Sequence, residues 1–174
     1  IDISGLKQLH GIKDRGDHVS IGAVTTLTEI EESKLLKDNF PILVEAAGKV
    51  ASPQIRNAGT LGGNVSQDTR CAYYRDGFPC YRAGGNTCYA NTPEGLNREH
   101  CVYGASRCVA VSPSDTATAL VALDAVMLVQ SATGRREIPA REFFVGPSQN
   151  IRGMTALDPA EVLVAVRLPG QWAG

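Results

Sequence analysis

Apolar and polar residues alternate from His18 to Val24, the period of a strand with one buried face. Thr25–Ile30 follows, with Thr and Glu at the spacing that opens a helix. Ser33–Lys37 reads as a second short helical turn. Pro41 opens a stronger helix over Ile42–Val50, apolar at most positions and therefore expected to be largely buried. Pro53 is expected to end it and to lead into a polar, glycine-rich turn. From Gln67 to about Arg107 neither period persists. Regular structure is expected again at Cys108–Val111. Ser112-Pro113-Ser114-Asp115 reads as a capping signal for a small-residue helix, Thr116–Leu123. Ala125–Ser131 reads as a strand, Ala132-Thr133-Gly134 turns, and Arg135–Ile138 pairs back as a hairpin. Phe143–Pro147 reads as loop, and Val162–Leu168 as a final strand. Helices and strands mix without a regular βαβ repeat, which implies an α+β fold.

The stretch Ala51–Asn64 (ASPQIRNAGTLGGN) carries the first chemical signal. Gly59, Gly62 and Gly63 can take positive φ and let a ligand approach the backbone. Thr60 and Asn64 supply a hydroxyl and an amide. Successive N–H groups in such a turn can form a nest for an anion such as a diphosphate. The plainer reading is a tight structural turn, since the stretch has neither the GxGxxG pattern nor the lysine of a phosphate-binding loop.

All five cysteines fall between Cys71 and Cys108. An odd count does not suit an oxidised secreted scaffold, and a chain of 174 residues does not need disulfides to fold. Cysteines serving as metal ligands in a reducing compartment are the better reading. A structureless run of about forty residues inside a compact domain is rare, so something is expected to cross-link it. Four thiolates suit zinc or an iron–sulfur cluster equally. The absence of C-x-x-C knuckles and the wide spacing favour the bulkier cluster. Net charge is −1 with no basic run, which argues against a nucleic-acid partner. No apolar stretch reaches the roughly 18 residues needed to span a bilayer. The chain shows no signal-peptide pattern and no initiator Met, and both ends read as cuts in a longer polypeptide.

The order Ser52-Pro53-Gln54-Ile55-Arg56-Asn57, Thr60-Leu61-Gly62-Gly63-Asn64, Ser112-Pro113-Ser114-Asp115 and Leu157–Leu163 resembles the FAD-binding subunit of the molybdenum hydroxylases, the xanthine dehydrogenase and carbon monoxide dehydrogenase family. The resemblance covers nearly the whole chain. It implies an FAD domain of the vanillyl-alcohol-oxidase type, here the larger subdomain over residues 1–174 of a longer subunit. It places Gly59, Thr60, Gly62, Gly63 and Asn64 on the FAD diphosphate, Ser114 and Asp115 near the adenosine end, and Leu157 against the isoalloxazine ring. For Ser114 and Asp115 the alternative is a plain helix cap. The family's earlier Gly-Gly-Thr FAD loop would lie before Ile1.

Most members run directly from Gly-Gly-Asn to Ser-Asp, whereas this chain inserts residues 67–108. That resembles the branch of 4-hydroxybenzoyl-CoA reductase and bacterial aldehyde oxidoreductases with an iron–sulfur insert. The resemblance implies a 4Fe-4S cluster on Cys71, Cys80, Cys88 and Cys108. Asn97–His100 and Gly104-Ala105-Ser106 resemble the aldehyde-oxidising subgroup. Cys101 is left over as a small, packed thiol, and His100 as a capping or packing residue. Tyr73 and Tyr74 read as aromatic anchors or as neighbours of a cofactor. Arg82 and Arg98 read most simply as solvated charge.

The implied function is a flavin-carrying, electron-transferring oxidoreductase subunit that serves a molybdopterin-binding large subunit and a 2Fe-2S small subunit. It is expected in the cytoplasm, or in the periplasm through a partner's signal. No nucleophile–base pair is expected. The alternatives are a non-enzymatic, zinc-stapled binding module and an FAD domain of the UDP-N-acetylenolpyruvylglucosamine reductase kind.

Overall fold

The computed structural model describes residues 2–173. The chain forms two compact units, one of Ile1–Ser66, Ser114–Phe143 and Leu157–Gly174, the other of Gln67–Pro113 and Phe144–Ala156. No helix among the described residues is long and apolar enough to cross a membrane.

The first unit is built on a five-stranded sheet of β1 (Ile12–Asp14), β2 (His18–Gly22), β3 (Val126–Ser131), β4 (Gly134–Pro139) and β5 (Val162–Pro169). The strand order is β1-β2-β5-β3-β4 and every pairing is antiparallel. Alternation puts Val19 and Ile21 of β2, Met127 and Val129 of β3, and Val166 and Leu168 of β5 into the core. On β5 the buried set changes parity, because Leu163 is buried beside Val166 and Leu168. A bulge explains this. Leu128 pairs with Ala165 but Val129 pairs with Leu163, so Val164 is the extra residue and both sides of the bulge face the core. The other face, with Ser20, Leu128, Gln130 and Val164, lines an open depression.

Helices supply the rest of this core. Thr26 and Glu29 close a capping box on α1 (Leu27–Glu32), which buries Leu27 and Ile30. Ser33 caps α2 (Lys34–Asn39), and Pro41 sits in the first turn of α3 (Pro41–Gly48). α3 buries only Leu43 and Ala47, while Ile42 is half exposed. The largely buried helix expected from its composition is thus a half-buried one, packed against α1 and α2. Pro53 does not lead into a turn. It occupies the first turn of α4 (Pro53–Ala58), capped by Ser52, where its missing N–H costs nothing. α5 (Leu61–Val65) buries Leu61 and Val65 completely, and each such side chain contributes about 1.5–3 kcal/mol. α7 (Ala117–Ala122) and α8 (Ala140–Phe143) complete the unit, the latter ending at Phe143, where the stretch that reads as loop begins.

The second unit is loop-rich. Its regular pieces are α6 (Ala72–Arg75), a 3-10 turn at Tyr81–Ala83 and the isolated bridges Cys80–Thr87 and Phe144–Thr155. Cys108–Val111 forms no strand, because no neighbouring strand pairs with it. Cys108 and Ala110 instead pack on Met154 and Ile151. Tyr73, Phe78 and Tyr89 form an aromatic trio with centroids 5.0–5.9 Å apart. Gly85 is obligatory, since a Cβ there would lie 1.8 Å from the Pro79 carbonyl oxygen.

Candidate functional site

In the first unit, α4 and α5 meet at Gly59-Thr60, where Thr60 bridges to Thr26. Thr60 Oγ1 accepts from the Gly63 N–H at 3.1 Å and caps α5. The Leu61 N–H donates to the Thr25 carbonyl at 2.9 Å, and the Gly62 N–H to the Ala23 carbonyl at 2.8 Å. The expected anion nest is therefore not formed, because these donors are spent on the fold. The expected positive φ is also absent at Gly59, Gly62 and Gly63. What demands glycine is space. A Cβ at Gly62 would lie 2.8 Å from the Ala23 carbonyl oxygen, and one at Gly59 would lie 2.9 Å from that of Ile55.

Thr60, Gly62, Gly63 and Leu157 line one open groove of about 620 Å³, together with Ala23 and Val24. Bare backbone, one hydroxyl and one apolar wall suit a ligand with a flat ring and a polar chain. Gly59 and Asn64 are not among the lining residues.

Asn64 is buried and ties two distant stretches together. Its Oδ1 accepts from Ser114 Oγ at 2.8 Å, from Thr116 Oγ1 at 2.8 Å and from the Thr116 N–H at 3.3 Å. Its Nδ2 donates to Asp115 Oδ2 at 3.2 Å. The structure thus brings Asn64, Ser114 and Asp115 into one network. The helix-cap alternative for Ser114 and Asp115 does not hold. The N-cap of α7 is Thr116, without a side-chain cap bond.

The turn after Leu157 is held by two residues that the sequence does not single out. Glu161 accepts from the Asp158 N–H at 2.8 Å and from Arg136 through two bonds of 2.6 Å. The Arg136 guanidinium, with that N–H, draws the Glu161 carboxyl down to about 2. Twenty-five residues separate the pair, so no local spacing marks it.

In the second unit, Cys71, Cys80, Cys88 and Cys108 wall one cavity with Tyr74, Arg82 and His100. The space is narrow. Its volume is about 10 Å³. All five cysteines are free thiols. Among the described residues no group of three or more His, Cys, Asp or Glu is placed to hold a metal ion. Burial pushes the Cys108 thiol up, and the nearby Cys88 and Cys80 thiols add to this. The Ala110 N–H, 3.4 Å from Cys108 Sγ, and the Arg82 guanidinium pull the other way. Cys101 is not on the cavity wall, and its Sγ donates to the Val109 carbonyl at 3.0 Å. Arg82 is not solvated charge, since its side chain is 1% exposed. His100 does not act as a cap, because both ring nitrogens are buried without a partner. Tyr73 also lines the cavity. Its hydroxyl accepts from the Leu96 N–H at 2.9 Å while its ring stacks in the aromatic trio.

A mixed α/β unit with a glycine-floored groove belongs to a recognisable class. Residues 1–171 match the model for the FAD binding domain in molybdopterin dehydrogenase, and the chain belongs to that family. It is therefore an FAD-binding domain of the molybdenum-hydroxylase type, a class whose members are parts of oxidoreductases. It is 37% identical to the aldehyde oxidoreductase FAD-binding subunit of Escherichia coli, with all of this chain and 55% of that protein aligned. It is 30% identical to the carbon monoxide dehydrogenase medium chain of Hydrogenophaga pseudoflava, over 97% of this chain and 42% of that one. A solved structure of carbon monoxide dehydrogenase from Hydrogenophaga pseudoflava superposes with a TM-score of 0.61 at 26% identity, over 94% of this chain and 40% of that chain. The chain thus spans about half the length of these curated relatives.

Proposed function

We propose that this chain is the flavin-carrying, electron-transferring part of a molybdenum-dependent aldehyde oxidoreductase, and that Cys71, Cys80, Cys88 and Cys108 hold a 4Fe-4S cluster. The observation that carries the reading is the convergence of these four cysteines on one cavity, although they are spread from position 71 to 108. Four free thiols in a partly desolvated pocket, with a backbone N–H directed at one sulfur, are the donor set that iron–sulfur clusters use.

In the first unit the fold type is that of the vanillyl-alcohol-oxidase FAD domains. Thr60, Gly62 and Gly63 would face the diphosphate, and the Thr60 hydroxyl, whose oxygen accepts from the Gly63 N–H, would have its hydrogen left for a phosphate oxygen. Leu157 supports the ring, and Arg136 and Glu161 hold its turn in place. Asn64, Ser114 and Asp115 set the shape of the adenosine end, and Gly59 sets the joint behind the groove. Bound FAD supplies the conversion between paired and single electrons, and the protein orients it. The partners are a molybdopterin-binding large subunit and a 2Fe-2S small subunit, the acceptor is external, and the compartment is the cytoplasm. Likeness to the Escherichia coli aldehyde oxidoreductase subunit supports the substrate class.

An anaerobic absorption spectrum with iron and acid-labile sulfide analysis tests the reading. About four irons per chain and a broad visible shoulder are expected, with flavin bands superimposed. A colourless protein with one zinc overturns the cluster assignment and leaves the flavin reading intact.

A further inference from the structure

Among the described residues, the buried side-chain nitrogen and oxygen atoms without any hydrogen-bond partner are Arg82 Nε, His100 Nδ1 and His100 Nε2. All three belong to residues on the wall of the thiol cavity. Such atoms are rare in folded proteins, and each calls for an explanation. We propose that the Arg82 Nε–H and one ring N–H of His100 donate hydrogen bonds to the sulfur atoms of the group held by the four cysteines, and that they raise its reduction potential. The inference rests on the cluster reading above.

Arg82 is held in place by everything except Nε. One terminal nitrogen donates to the Ile151 carbonyl at 3.0 Å and the Gly153 carbonyl at 3.4 Å, and the other pairs with Asp68. The Tyr74 ring lies 5.0 Å from the guanidinium carbon. A guanidinium fixed this way cannot turn Nε toward another acceptor. A neutral imidazole carries one donor and one acceptor, and His100 satisfies neither. Thiolate and sulfide sulfurs of a bound cluster would be anionic acceptors for these donors. Such a cluster is more negative when reduced, so a buried cation and nearby N–H donors stabilise the reduced form more.

The test uses the full-length chain, purified anaerobically in its native complex, with EPR-monitored redox titration beside iron and sulfide analysis. Wild-type protein without iron and sulfide overturns the cluster reading itself. With iron present, Arg82→Met is expected to lower the reduced-to-oxidised ratio at the wild-type midpoint about ten-fold, a downward shift of about 59 mV for a one-electron couple. His100→Phe is expected to shift it in the same direction by less. Arg82→Lys and His100→Gln, which keep a donor, are expected to recover part of each shift. Full iron with an unmoved midpoint in both Arg82→Met and His100→Phe overturns the inference. If both variants lose iron, wild-type complex carrying guanidino-15N arginine and ring-15N histidine decides. Hyperfine coupling of both labels to this reduced cluster sustains the inference, and its absence overturns it.

Discussion

The two units treat buried polar groups in opposite ways. In the sheet unit, Thr25, Asn64 and Thr116 are buried and all of them find partners inside the unit. Asn64 fills both ends of its amide from residues fifty positions away. In the loop unit, buried Arg82 and half-buried His100 keep nitrogens with no partner, and those nitrogens border the cavity walled by four thiols. A folded chain tolerates few such atoms, because each forfeits a hydrogen bond it would have made in water. The sheet unit satisfies these buried polar side chains from within, whereas the loop unit leaves those three nitrogens without a partner among the described residues.

The comparison breaks most visibly at a thiol. Cys80→Ser is expected to take iron from about four per chain to almost none while FAD content, read from the flavin band, stays unchanged. Loss of flavin along with the iron would show that the two units depend on each other. The sheet unit should fail through its core instead. Leu61 is fully buried, and Leu61→Ala is expected to cost about 2–5 kcal/mol in denaturant unfolding, with iron retained at low denaturant. Asn64→Ala removes the partner of buried Thr116, and an unsatisfied buried group costs about 1–3 kcal/mol. The same melt measures this, and an unchanged midpoint would mean that water replaces the amide. Gly62→Ala forces a Cβ against the Ala23 backbone and is expected to destabilise by about 1–3 kcal/mol and to weaken FAD retention on gel filtration.

The smallest effect is a pH dependence. Glu161 is held at about 2 in the folded chain, below the ordinary 4.5. Its pairing with Arg136 therefore contributes in full above about pH 5 and fades as pH falls from 4.5 through 2. The stability difference between wild type and Glu161→Gln should be flat above about pH 5 and shrink below it. A difference that grows on acidification would refute the assignment. The effect is modest, since the Arg136 side of the pair stays exposed to solvent.

Legibility followed the same division. The strands around Val19, Met127 and Val166 and the caps at Thr26 and Ser33 are local patterns, and they stand where the chain places them. Pro53 reads as a stop because it follows a helix. It opens the next one because Ser52 caps it. β1 is three residues long and gives no period to detect. Cys108–Val111 looks like a strand, but a strand needs a partner edge, and composition does not supply one. The groove residues Thr60, Gly62, Gly63 and Leu157 are visible as a motif, yet the reason for the glycines was not. Gly62 is small to admit the Ala23 backbone, and the Gly62 and Gly63 N–H groups are already spent.

By itself the sequence determined the family, the glycine-rich stretch and the confinement of cysteine to one aperiodic segment. These are properties of residue identity and order, which survive without coordinates. Only the tertiary structure decided that Arg82 is buried, that Arg136 reaches Glu161, and that Arg82 and His100 face the same cavity as four thiols. Each of these joins residues far apart in the chain. A buried charge or an unsatisfied nitrogen is defined by what surrounds it, and no stretch of sequence carries its own surroundings.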